Sequence, residues 1–265
     1  RALPGRKICG GSGTGENKFG DYLVQMYLPL GRLKMKHVHA GIVSDYRREL
    51  RLDEAVHRVT YRCGEREYVR ESFVSPVFQT YVLRLGCSEP GGISFTAWLE
   101  SQLKHTLRRE GEVLLLEGYA PNCVSGYGKG YPSTDCQIYS EDPMEQGMGF
   151  AAALSLRTVG GSVCFQNDKL MVTEADEVTL FVAVRTGFAG WNVHPSLGRV
   201  AYRENCLSDI RKAKHLSYPE LSEQHKAAHR ALYDRVSLTL GSSKNSGLPT
   251  DRRLELHGAG QEDLA

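Results

Sequence analysis

Apolar and polar positions alternate with a period of two through most of the chain. Leu33, Met35 and His37 alternate with Lys34 and Lys36, and Val56, Arg58 and Thr60 with His57, Val59 and Tyr61. Strand-like runs follow at 68–74, 80–85, 93–99 and 113–116. Short alternating segments at this rhythm, bounded by turn residues, predict an antiparallel β-sandwich with one face of each strand buried. Cys63-Gly64-Glu65, Glu89-Pro90-Gly91-Gly92, Gly160-Gly161 and Asn167-Asp168 are the reversal points, each short enough for a hairpin.

The rhythm breaks at 118–147, where Gly126, Gly128, Gly130, Pro132 and Pro143 are interleaved with Tyr119, Tyr127, Tyr131 and Tyr139. A loop of this length inside a domain is uncommon and is disproportionately functional, although an unpacked insertion has the same composition. A second candidate is Trp191 in Phe188-Ala-Gly-Trp-Asn-Val-His-Pro195, beside His194. Its ring is placed either to stack on a sugar or to pack on the sandwich edge. Tyr127, Tyr131, Trp191 and His194 are the substrate-proximal candidates.

Ser217-Tyr-Pro-Glu220 has the form of a capping box, opening a helix to about residue 234 with Leu221, Ala228 and Leu232 on its apolar side. Val236, Leu238 and Leu240 then alternate with Ser237 and Thr239, which predicts a returning strand. The organisation read this way is a Gly-rich segment at 1–19, a sandwich at 20–200, a helical linker with its returning strand at 201–240, and a polar tail at 241–265.

Composition narrows the function classes. The 265 residues are 41% hydrophobic and 24% charged, ordinary for a folded domain. The 33 basic and 31 acidic side chains are interspersed, so no cationic stripe suggests a nucleic-acid partner. The longest apolar runs, such as 178–184, fall far short of the ~20 residues that span a bilayer, so no membrane partner is expected. The seven cysteines form no C-x-x-C pair. They read as reduced thiols, with Cys164 as a small buried hydrophobe, and lean towards the cytoplasm. The compartment stays open, because the chain starts at Arg1 rather than Met.

Local motifs for chemistry fail on position. Gly10 and Gly15 bracket a phosphate-loop spacing, but Glu16 and Asn17 stand where Lys and Ser or Thr are needed. His225 and His229 lie four apart on the predicted helix, with Lys226 where a metalloprotease carries Glu, so they read as a polar pair on the helix face. His37 and His39 share a strand face without a third ligand. No Gly-x-Ser-x-Gly elbow occurs, and carboxylates such as Asp53 and Glu54 read as surface acids. No metal and no cofactor are expected.

Seven segments in order carry a family resemblance: Tyr27-Leu-Pro-Leu-Gly31, Asp45-Tyr-Arg-Arg-Glu-Leu50, Arg70-Glu-Ser-Phe-Val-Ser75, Glu117-Gly-Tyr-Ala-Pro121, Gly147-Met-Gly-Phe150, Ala175-Asp-Glu-Val178 and Pro249-Thr-Asp-Arg-Arg-Leu254. Over 20–265 the chain resembles the N-terminal domain of glycoside hydrolase family 95, the α-L-fucosidases and related α-L-galactosidases. The resemblance implies a mainly β fold, an antiparallel β-supersandwich with a short C-terminal helical linker. It also implies an (α/α)6 barrel beyond the linker that holds the inverting acid and base and acts on fucosylated or galactosylated glycans. No residue of this chain then inherits a catalytic role, and the chain's partner is that missing barrel. The Gly-rich stretch 5–17 departs from the Ala- and Glu-rich helix the family has there. A free-standing carbohydrate-binding sandwich is the alternative, and the same supersandwich in a related phosphorylase or hydrolase is a third reading.

Overall fold

The computed structural model describes residues 28–39, 41–121, 123–124, 137–142, 146–190, 193, 200–239, 241, 244–261 and 263. Fourteen strands and three helices are formed among them. The strands are β1 (Arg32–His37), β2 (Val43–Arg51), β3 (Val56–Cys63), β4 (Arg66–Ser75), β5 (Thr80–Cys87), β6 (Ile93–Glu100), β7 (His105–Glu110), β8 (Val113–Tyr119), β9 (Cys123–Val124), β10 (Gln137–Ile138), β11 (Gly149–Val159), β12 (Ser162–Gln166), β13 (Lys169–Ala175) and β14 (Glu177–Thr186). The helices are α1 (Tyr202–Lys214), α2 (Tyr218–Tyr233) and α3 (Thr250–Gly258).

Two antiparallel sheets make the expected sandwich. The larger has the order β2-β3-β4-β5-β14-β11-β8-β7 and the smaller β1-β6-β13-β12, while β9 and β10 form a separate two-stranded ladder. Period two decides the packing. In β6, Ile93, Phe95, Ala97 and Leu99 all point inward and the residues between them do not. They meet Leu83, Leu85, Leu114, Leu116, Leu154, Leu156, Val178 and Leu180 of the larger sheet, together with Leu170 and Val172 of β13. At about 25 cal/mol per Å² of apolar surface removed from water, this layer is the main source of stability.

Of the four reversals, two are hairpins. Gly64, with φ of 62°, turns β3 into β4, and Asn167 and Asp168, with φ of 49° and 57°, turn β12 into β13. The other two cross between the sheets: β5 leads to β6, and β11 to β12. Asp176 ties these corners together. Its Oδ1 accepts the Gly91 amide at 2.6 Å, and its own amide donates to Val159 O at 2.8 Å. Gly160, with φ of 66°, sits against that carboxylate, where a Cβ would lie 2.5 Å from Asp176 Oδ2.

The larger sheet is covered on its second face as well. β11 is buried on both sides, and its small residues Ala151 and Ala153, with Ala183 of β14, let α1 approach closely. Cys206, Ile210 and Ala213 of α1 and Leu221 of α2 join them, Val82, Leu115 and Phe181 in a second core. Arg157 ends α1: its Nη1 donates to the carbonyls of Lys214 at 3.2 Å and Leu216 at 2.8 Å, acceptors that the helix end leaves open. The capping box at α2 is formed, with the Ser217 amide donating to Glu220 Oε2 at 2.7 Å and the Glu220 amide to Ser217 Oγ at 3.4 Å.

Four local readings need correction. The expected returning strand does not form: residues 236–239 have no strand pairing, and Val236 and Leu238 are 82% and 81% exposed. The polar tail contains α3, none of whose residues is buried. Leu232 is exposed, and the buried side of α2 is made instead by Leu221, Ser222 and His225. Cys164 is exposed, because β12 is an edge strand with one neighbour only. Among the described residues no helix is long and apolar enough to cross a membrane.

Candidate functional site

Tyr127, Tyr131, Trp191 and His194 lie outside the described residues, as does the Gly-rich stretch 5–17. The stem of the long loop is described. Tyr119, ending β8, and Tyr139, just after β10, meet edge to face with centroids 5.5 Å apart. The Lys104 ammonium lies 5.6 Å and 5.9 Å from these two rings. Tyr139 Oη accepts the Lys104 amide and donates to Gln137 Oε1, both at 2.9 Å. The loop therefore leaves the sandwich from a fixed aromatic and cationic base.

The histidine pairs are structural contacts. In α2, His225 and His229 face the carbonyls of Ala55 at 3.2 Å and Leu52 at 2.8 Å, and His225 stacks on Phe73 with centroids 4.4 Å apart. They fasten the helix to the β2–β3 turn. His37 and His39 stack on each other, with centroids 5.4 Å apart, where β1 crosses Tyr61, Tyr68 and Arg70. Burial, reinforced by the Arg70 charge, pushes His37 down to about 3 and lowers His39 too. Both rings therefore stay neutral at physiological pH. Among the described residues no cluster of three or more His, Cys, Asp or Glu could hold a metal ion.

A larger feature went unseen in the sequence. On the helix-covered face of the eight-stranded sheet, the registers align Glu49 with Arg58, Arg58 with Glu71, Glu71 with Arg84, Arg84 with Thr179 and Thr179 with Arg157. Opposite charges face one another across β2, β3, β4 and β5, an arrangement that stabilises adjacent strands. Arg84 reaches Glu177 Oε2 at 2.6 Å and Glu71 at 3.5 Å, and Arg58 reaches Glu71 at 3.6 Å. The N-terminal turn of α2 overhangs this row and encloses a groove of about 820 Å³. The Tyr218 ring lies 5.0 Å from the Arg84 guanidinium, and its hydroxyl donates to Glu71 at 3.3 Å. Burial and the Glu71 charge raise its pKa. The one signal in the sequence is that Arg58, Glu71 and Arg84 recur at intervals of thirteen residues in outward strand positions.

Four carboxylates are displaced away from the character of a hydrolase acid. Glu49, Glu54, Glu112 and Glu220 are all held below the usual carboxylate range, by Arg47 and Arg51, by Lys226 and Arg51, by Lys214, and by Ser217 respectively. A general acid needs the opposite displacement.

Residues 6–191 match the family model for the glycosyl hydrolase family 65 N-terminal domain. The chain belongs to this family. The family number differs from that of the resemblance drawn from motifs, and the place in the polypeptide is the same: the N-terminal domain of a glycoside hydrolase. α-L-Fucosidase 2 of Arabidopsis thaliana is 32% identical over 209 residues, covering 76% of this chain and 24% of that protein. The domain thus spans about a quarter of that relative's length. Among solved structures, a protein described as a kojibiose phosphorylase, from the human microbiome, shares the fold. That match has a TM-score of 0.50 at 9% identity and covers 78% of this chain and 28% of the other.

Proposed function

We propose that this domain is the non-catalytic N-terminal brace of an α-L-fucosidase-type glycoside hydrolase, with inverting hydrolysis of fucosylated or galactosylated glycans performed by an (α/α)6 barrel elsewhere in the parent polypeptide. The observation that carries the reading is the 32% identity to an α-L-fucosidase, confined to a quarter of that protein. The downward-held carboxyls of Glu49, Glu54, Glu112 and Glu220 support it. A rigid three-layer body suits a brace, since its packed core resists deformation by whatever it supports.

The long loop, from its Tyr119 and Tyr139 stem, and the segment containing Trp191 and His194 border the substrate cleft in this proposal. Tyr127, Tyr131 and Trp191 supply rings on which sugar faces stack. The test is made in the full-length enzyme. Trp191→Ala or Tyr131→Ala raises KM for a fucosylated oligosaccharide several-fold with little change in thermal stability. Unchanged KM in both variants removes the loop from the cleft. Phe181→Ala, which loosens the core under α1, shortens the half-life of activity at elevated temperature and leaves the initial KM unaltered. A parent enzyme whose half-life is indifferent to this change does not use the domain as a brace.

A further inference from the structure

The groove between the sheet and the N-terminal turn of α2 has properties that the brace does not require. Four cationic and five carboxylate side chains line it, so its net charge is close to neutral and it favours neither an anion nor a cation. Its ion pairs leave valences open. Glu177 hydrogen-bonds through Oε2 alone and Arg157 through Nη1 alone. A carboxylate offers about four lone-pair sites and a guanidinium five N–H donors, so both partners retain capacity after pairing. A ligand that exploits such a surface must carry many groups that both donate and accept while bearing no charge. Sugar hydroxyls have that chemistry.

We propose that this groove is a binding site for a neutral oligosaccharide, separate from the cleft of the parent enzyme. Neighbouring strands are about 4.8 Å apart, so Glu71 on β4, Arg84 on β5, Glu177 on β14 and Arg157 on β11 present charged groups to the groove at successive strands. Glu177 Oε1 accepts a hydroxyl proton at one side, and Arg157 donates to a hydroxyl oxygen at the other. Tyr218 and Pro219 supply apolar surface at the rim. The inference rests on the glycoside hydrolase reading only for the class of ligand.

The test is titration of the 265-residue chain with cellotetraose and 2′-fucosyllactose as neutral probes and trigalacturonate as an anionic control, followed by amide chemical shifts. One or both neutral probes bind with a Kd of roughly 1 mM, shifts concentrate on β5, β14 and the start of α2, and trigalacturonate does not compete. Glu177→Gln, which keeps the side-chain volume, weakens binding at least five-fold, and so does Arg157→Met. Thermal unfolding of each variant shows that the domain remains folded. Absence of binding by both neutral probes, binding unchanged in Glu177→Gln, or preferential binding of trigalacturonate overturns the proposal. Hydrolysis by the parent enzyme is measured in parallel. Activity without groove binding refutes this inference alone, whereas binding without activity refutes the fucosidase reading alone.

Discussion

The two faces of the eight-stranded sheet are built from the same strands and obey different rules. Towards the small sheet, Leu83, Leu85, Leu154 and Leu180 meet Phe95, Leu99 and Leu170, and the interface is apolar across its centre. Towards the helices the face divides. Part-way along the strands it is apolar, with Phe73, Val82, Phe181, Ala183, Ala151, Ala153 and Leu115 under the helices, whereas the next positions along the same strands carry Glu71, Arg84, Glu177 and Arg157. A strand buried on both faces must be apolar throughout, as β11 is over 150–156 apart from Ser155, whose hydroxyl donates to Glu112 O. β4 and β5 instead give one helix-side position to the core, Phe73 and Val82, and the next to charge, Glu71 and Arg84. One sheet thus serves as a structural wall and, at its other end, as a polar groove.

Removing a large side chain from the wall should separate these halves most strongly. Phe181→Ala, at a fully buried position, is expected to cost about 3–5 kcal/mol in urea denaturation. Truncation on the charged half should cost far less: Arg58→Ala is expected to lose about 1 kcal/mol or less, because its pair with Glu71 is partly solvated. Equal losses at both positions would erase the distinction.

Acidification probes the sandwich side. The His37 pKa is depressed by burial to about 3, below the ordinary value of 6.5, so the unfolded chain binds the proton more readily. Its contribution is complete above pH 6.5 and is lost as pH falls towards 3. The expected loss from this group is about 2 kcal/mol by pH 5. His37→Phe should flatten that part of the stability profile, read as the difference in urea midpoint between pH 7 and pH 5. A slope identical to wild type would contradict the assignment.

The smallest of these effects is local. Ser217→Ala removes the side-chain half of the α2 cap and should destabilise the domain by about 1 kcal/mol, with hydrogen exchange accelerating first in the amides of Tyr218–Glu220. Exchange spread evenly over the sheet would show instead that α2 does not open on its own.

Alternation made the sandwich readable, since a half-buried strand writes its burial directly into every second residue. The capping box was readable for a similar reason: donor and acceptor are three residues apart. What depends on distant pairing was not. The buried stripe of α1 is Cys206, Asp209, Ile210 and Ala213, and an acid in that stripe hides the helix until its partner is known. Arg185, on β14, donates to Asp209 at 2.7 Å. The alternation of Val236, Ser237 and Leu238 shows the converse, because without a sheet edge to pair with the pattern forms no strand. The groove depends on five strand registers at once, and the four aromatic and histidine candidates for the cleft fall outside the described residues.

The central claim is that this domain supports catalysis without performing it. The direct measurement is release of p-nitrophenol from p-nitrophenyl α-L-fucoside by the purified 265-residue chain, beside the full-length parent enzyme at equal molarity. The account predicts turnover by the parent and none above the buffer blank by the chain. Turnover by the chain that survives repurification and is abolished by Glu177→Gln or Glu71→Gln would place catalytic carboxylates in the sandwich and contradict it.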